Sequence, residues 1–159
     1  MGKRSLIVSA AICLALMFTA GSIYAGKDVK DVIKMQNETY EKHTKALVNF
    51  THKKHNEEYK IGCGDCHHDD EGKALDVKPG DDVKNCIECH KIPGRIPGKL
   101  KKEMKAGKVS KKEMRAKEMA YHAEAIHANC IGCHKTYNKK NKTKVAPQTC
   151  TKCHPKKKK

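Results

Sequence analysis

The sequence has no tryptophan, only two phenylalanines, and aromatic residues at 4% of the total. Beyond residue 25 it also lacks any long apolar run, since lysines and acidic residues interrupt every aliphatic stretch. The first shortage removes the large side chains on which a domain of 159 residues normally builds its core. The second excludes a spanning segment of about 20 apolar residues in the body of the chain. Charged residues reach 33% and the mean hydropathy is −0.77, which on composition alone leans toward the disordered class.

Nine cysteines and ten histidines stand against that reading. Eight of the cysteines fall in four copies of one pattern: Cys63-Gly64-Asp65-Cys66-His67, Cys86-Ile87-Glu88-Cys89-His90, Cys130-Ile131-Gly132-Cys133-His134 and Cys150-Thr151-Lys152-Cys153-His154. C-x-x-C-H is the attachment signature of a c-type haem, in which two thiols bond to the porphyrin edge and the adjacent histidine ligates the iron. Zinc sites and disulfide frameworks also use paired cysteines, but neither asks for a histidine directly after the second cysteine of every pair. Cys63, Cys66, Cys86, Cys89, Cys130, Cys133, Cys150 and Cys153 are therefore read as the attachment points of four haem c groups. Those groups supply the apolar bulk that the side chains lack, so the haems are expected to be the core.

Residues 1–25 read as a signal peptide: Lys3 and Arg4, an uncharged run from Leu6 through Ala20, then small residues up to Ala25. The run is short for a membrane anchor, and Cys13 is lost with it. Export to the periplasm follows, and it agrees with haem attachment, which takes place outside the cytoplasmic membrane. Residues 26–159 read as a single tetrahaem domain, with an N-terminal arm at 26–45, a basic insertion at 91–117 and a lysine tail at 155–159.

The formal charge is +16, and losing Lys3 and Arg4 with the leader lowers it by two, to +14. Eight propionate charges would bring the haem-loaded protein to about +6. In an exported protein such a surface suits acidic protein partners rather than nucleic acid, and no stable membrane insertion is expected after cleavage. A monomer is expected.

Along the mature chain, residues 27–47 read as an irregular arm or a short helix. His43, among Glu41, Lys42 and Lys45, reads as solvated. A short β-prone run then leads to His52 and His55, whose spacing puts both imidazoles on one side of a helical turn. His68 follows His67 directly; vicinal side chains diverge, so it should serve a neighbouring iron. The acidic stretch from Asp69 to Asp82 fits no EF-hand spacing and reads as a solvated loop.

The two Pro-Gly pairs between Ile92 and Gly98 read as an extended linker without helix. Ser110 and Glu113 form a capping box that opens a helix, and Ala116, Met119, Ala120, Ala123, Ile126 and His127 then recur as one apolar stripe. His127 lies in the stripe and His122 about 120° away, which favours His127 as the buried ligand. Being so close before Cys130, His127 should reach a different iron from that of the third motif. Lys135 to Gln148 reads as a basic loop.

Four irons with two histidines each need four more than the motifs supply. His52, His55, His68 and His127 fill the places beside His67, His90, His134 and His154, leaving His43 and His122 over. Six-coordinate irons have no open position, so the expected chemistry is outer-sphere electron transfer, not catalysis.

The constellation of Phe50-x-His52-x-x-His55, the doubled His67-His68 and a histidine ahead of the third motif resembles the tetrahaem cytochrome c3 family, the class III c-type cytochromes of sulfate-reducing bacteria, over about residues 46–154. The resemblance implies the pairs His67 with His52, His90 with His68, His134 with His55 and His154 with His127. It implies a small, mostly helical and irregular fold with a short two-stranded N-terminal β ribbon, a few helices and a four-haem core. It also implies partners such as periplasmic hydrogenase, formate dehydrogenase and membrane-bound multihaem cytochromes.

The chain departs from the family pattern in two ways. All four motifs are C-x-x-C-H, where relatives often have a longer second or fourth one, and the stretch from Lys91 to Lys117 is longer than usual, which keeps His122 in competition with His127. Lys152 and Lys156 to Lys159 read either as a steering patch near the fourth haem or as a solubilising tail. A multihaem reductase of metal or sulfur species, and a haem subunit of a larger respiratory complex, are the alternative functions.

Overall fold

A computed structural model describes residues 29–155. The expected signal peptide and Lys156 to Lys159 lie outside the described residues. The chain forms two short strands, β1 (Ile33–Lys34) and β2 (Asn49–Phe50), followed by α1 (His52–Glu57), a 3-10 turn (Cys63–Asp65), α2 (Cys86–Cys89), α3 (Gly98–Ala106), α4 (Lys111–Met119), α5 (His122–Lys140) and α6 (Cys150–Cys153). The strands pair antiparallel, Ile33 opposite Phe50 and Lys34 opposite Asn49. This small fold, with few helices and an N-terminal ribbon, is the architecture expected from the sequence. The arm therefore contributes a strand, where an irregular segment or helix was expected.

Side chains account for little of the interior. Among the described residues the buried apolar ones are Ile96, Tyr121 and Ala125, and no large side chain is fully enclosed. Order comes instead from backbone and polar ties that converge on α5. The α2 and α4 helices pack on it, Asn129 donates to the Cys66 carbonyl at 3.2 Å, and the Ile92 strand bridges to Tyr121 in parallel. At Gly64 an added Cβ would lie 2.7 Å from the Leu75 carbonyl oxygen, so the turn around the first motif admits no larger residue without shifting.

Three expectations about helices need correction. Pro97 and Gly98 do not exclude a helix: Pro97 is the N-cap of α3, where its missing N–H costs nothing because the first helical N–H groups have no intrahelical acceptor. The apolar stripe running toward His127 is not one helix. It is broken at Ala120–Tyr121, where Tyr121 takes extended dihedrals (φ −89°, ψ 121°) and α5 starts afresh. Finally, Lys135 to Lys140 is not loop but the end of α5, in keeping with the good helix propensity of lysine.

After α5, Asn138 holds the returning loop. It is 6% exposed; its side chain donates to the Ala146 carbonyl at 2.8 Å and accepts from the Ala146 N–H at 3.1 Å. Replacing Asn138 with Ala leaves both groups of Ala146 without those partners and is expected to cost about 1–3 kcal/mol. The check is denaturant unfolding of the haem-loaded protein, with haem content unchanged; a midpoint equal to wild type would deny the clamp.

Candidate functional site

The four motif histidines are each set opposite one other histidine. Ring centroids are 6.3 Å apart for His52 and His67, 5.9 Å for His68 and His90, 6.3 Å for His55 and His134, and 6.3 Å for His127 and His154. The ring planes cross at 89°, 64°, 27° and 79° respectively.

Local structure explains how each partner arrives. His52 and His55 stand on the single turn of α1, with the Phe50 ring 5.7 Å from one and 4.7 Å from the other. Their spacing lets one short helix face two motifs. His68 is carried by the bridge between His68 and Ala74 that closes the loop after the first motif. His127 and His134 both lie on α5. Seven residues apart, they project within about 20° of one another and are separated by about 10 Å along the axis.

Five of the eight histidines donate Nδ1–H to a backbone carbonyl. His55 reaches Thr51 at 2.8 Å, His68 reaches Asp69 at 2.8 Å, His90 reaches Met119 at 2.5 Å, His134 reaches Pro147 at 2.6 Å and His154 reaches Ala46 at 2.7 Å. A carbonyl oxygen can only accept, so the proton of each neutral ring must sit on Nδ1 and the lone pair on Nε2. This is the outer arrangement by which metal-ligating imidazoles are oriented and their basicity raised.

Burial, then the neighbouring His52 and His68, pushes the His67 pKa down; burial, then Arg95 and His154, does the same for His127. Both shifts favour the neutral imidazole, the form that ligates a metal.

No disulfide joins the eight motif cysteines. Cys130 keeps exposed surface, yet crowding around its thiol, with Cys66 and Cys86 among its neighbours, pushes its pKa up to about 11. Cys66 and Cys86 are raised chiefly by burial as well. Cys89 donates to Asp70 at 3.3 Å.

The donor set fits haem and does not fit zinc. No three His, Cys, Asp or Glu side chains among the described residues converge on one point, so no tetrahedral site is assembled. Two opposed imidazoles suit a metal whose other four ligands lie in a plane. Two trans bonds of about 2 Å each, plus about 1 Å from each nitrogen to its ring centre, predict centroids about 6 Å apart. The observed spacings match. Two open grooves flank the fourth pair, one at Ala46, Cys150 and His154, the other at Arg115, Glu124 and His127.

His122 and His43 differ from expectation. His122 is the most buried histidine, at 8% exposed, and its pKa is lowered by burial and then by His90. Its ring contact is with Tyr40, whose hydroxyl lies 2.8 Å from its Nδ1. Burial on the apolar stripe was thus the wrong reason to prefer His127, because the break at Tyr121 turns His122 inward. His43 is not solvated at its tip: its ring stacks on Tyr40 at 5.0 Å and its Nε2 is buried without a partner. Tyr40 and the carbonyl acceptors escaped the sequence reading. Backbone acceptors carry no residue-type signal, and a lone tyrosine in a polar arm has no pattern to mark it.

A chain with little side-chain core, opposed imidazoles and four C-x-x-C-H turns has the build of a multihaem c-type cytochrome. The family model of class III cytochrome c matches residues 28–154, and the chain belongs to that family. Cytochrome c3 of Desulfovibrio desulfuricans is 32% identical over 113 residues, covering 71% of this chain and 82% of the relative. No solved structure matches at the same level of significance. The protein is accordingly a multihaem electron-transfer protein of the haem c type. Among the described residues no helix is long and apolar enough to cross a membrane.

Proposed function

We propose that this chain is a periplasmic electron carrier with four covalently bound, bis-histidine, low-spin haems, ligated by His67 with His52, His90 with His68, His134 with His55, and His154 with His127. The observation that carries the reading is the set of four opposed imidazole pairs, each containing one motif histidine, at a spacing suited to trans ligation of one iron. The haem supplies an iron that gains and loses one electron without needing a bond to substrate. Backbone carbonyls fix five of the eight imidazoles through Nδ1–H, and with both histidines of each pair on its iron the haem would offer no open position to substrate. Electrons would come from periplasmic hydrogenase or formate dehydrogenase and pass to membrane-bound multihaem cytochromes.

The expected result of a pyridine haemochrome assay is four haems per chain, with a low-spin spectrum in both redox states. A count below four would break the reading at its root. Carbon monoxide binding by the reduced wild-type protein at neutral pH would move it toward a reductase with an open iron.

A further inference from the structure

The chain that returns from α5 toward the fourth motif is stitched to one face of that helix. His134 and Asn138 stand four residues apart on α5, neighbours at helical spacing, and they hold consecutive residues of the returning loop. Asn138 pairs with both backbone groups of Ala146, at 2.8 and 3.1 Å. One residue further on, the Pro147 carbonyl accepts the His134 Nδ1–H at 2.6 Å. Two more bonds close the arrangement: Thr143 N–H donates to the Asn138 carbonyl at 2.9 Å, and Gln148 Nε2 to the His134 carbonyl at 3.3 Å.

This acceptor is held differently from the one opposite. His55, the other histidine of the pair, donates to Thr51, the residue that opens its own helix. Its bond is fixed by local backbone geometry. Pro147 lies instead in a segment with no helix or strand of its own, so the direction of its carbonyl is set by what pins the loop. Proline fixes φ and donates no N–H, which leaves the preceding residue as the nearest point of attachment. That attachment is Asn138, a side chain only 6% exposed. Burying an amide gains little over burying an apolar group of the same size. What the amide adds is register, since it pairs with Ala146 and with no other loop residue.

We infer that Asn138 is a positioning residue for the third haem: by holding Ala146 it seats the Pro147 carbonyl on His134 Nδ1–H, and so holds down the reduction potential of the iron that His134 and His55 share. An imidazole whose Nδ1–H is bonded to a carbonyl is a stronger donor to its metal. A stronger axial donor favours the oxidised iron and lowers the potential. The remaining Nδ1 acceptors, Thr51, Asp69, Met119 and Ala46, belong to other segments, so the effect is confined to one haem. The inference rests on the ligand pairs proposed above and adds a side chain that is itself no ligand.

The test uses the haem-loaded full chain as wild type, N138A, P147G and N141A. P147G leaves Asn138 in place and frees the backbone that carries the acceptor. N141A removes an exposed bond at the same helix end, from Asn141 Nδ2 to the Tyr137 carbonyl at 2.9 Å, and controls for local loosening. Equal haem counts and low-spin spectra verify folding. Reduction is followed by proton NMR through the haem methyl resonances, each haem being assigned to its motif by contacts between its thioether protons and that motif's cysteines. Nitrogen-15 labelling of histidine adds the solvent exchange rate of the His134 Nδ1–H in the reduced protein.

In N138A and P147G the equilibrium for reducing the third haem is expected to shift about three- to ten-fold toward the reduced form. The His134 Nδ1–H should exchange about ten-fold faster or more, while the other haems, and every haem of N141A, titrate as in wild type. The inference is overturned if the third haem of N138A keeps the wild-type equilibrium, whether or not P147G shifts it. It is also overturned if all haems of N138A shift alike, the mark of general loosening, or if N141A shifts the third haem as far. Should N138A fail to take up its haems, P147G decides by the same criteria. A wild-type third haem with a single histidine on its iron would instead bring down the ligand pairs, and the tuning with them.

Discussion

Reduced His127→Gly protein is expected to bind carbon monoxide at one haem per chain, while His122→Gly protein binds none. The sequence leaves these two histidines in competition, five residues apart and both ahead of the third motif. The structure separates them by what they face. The His127 ring stands 6.3 Å from that of His154, the spacing of two ligands across one metal; His122 is spent on Tyr40. If the proposed pairs hold, removing His127 would free one place on its iron, which would turn high-spin in the reduced state while the others stayed low-spin. Removing His122 would loosen the arm around Tyr40 and leave the ligand pairs intact. Optical titration with carbon monoxide at pH 7, scaled to haem content, reads the difference. Gas binding by the His122 variant with none by the His127 variant would reverse the assignment.

The chain without its haems is expected to show no cooperative unfolding transition at all. Among the described residues, three buried apolar side chains and no fully enclosed large one cannot offset the entropy of ordering the chain. The polar ties that gather the motifs on α5 only operate once something holds the motifs there. A variant with all eight motif cysteines changed to serine should give the far-UV circular dichroism of a largely unordered chain. The haem-loaded protein should melt in one sharp step. A cooperative transition with native-like helix content in the serine variant would mean that the polypeptide carries a core of its own.

How legible all this was in the sequence depends on what kind of signal each part leaves. The motifs speak through residue identity at fixed spacing. The doubled His67-His68 and the pair His52 and His55 are nearly as plain, because the directions of neighbouring side chains decide which irons they can share. Helix boundaries were harder. The stripe from Ala116 to His127 keeps a helical period through Tyr121, although the backbone there is extended, because Ile92 pairs with Tyr121 and draws the chain out of the helix. A local pattern carries no trace of a contact formed from 29 positions away. The end of α5 departs from expectation for a different reason: Lys135, Lys139 and Lys140 read as marks of a loop, whereas straight-chain lysines extend an exposed helix readily. The Nδ1 acceptors were beyond reach, since Thr51, Asp69, Met119, Pro147 and Ala46 contribute only their carbonyls.

The placement of His127 and His134 on one helix has a mechanical consequence. An α-helix is stiff along its axis, so the interval of about 10 Å between these two rings is set by its rise of 1.5 Å per residue and not by the breathing of loops. His68, by contrast, is hung on a loop closed by one bridge. Exchange between the third and fourth positions should therefore be indifferent to solvent viscosity, and the damping that a thickened medium imposes should fall on the second. The molecule would then conduct through one hard rung and one compliant one.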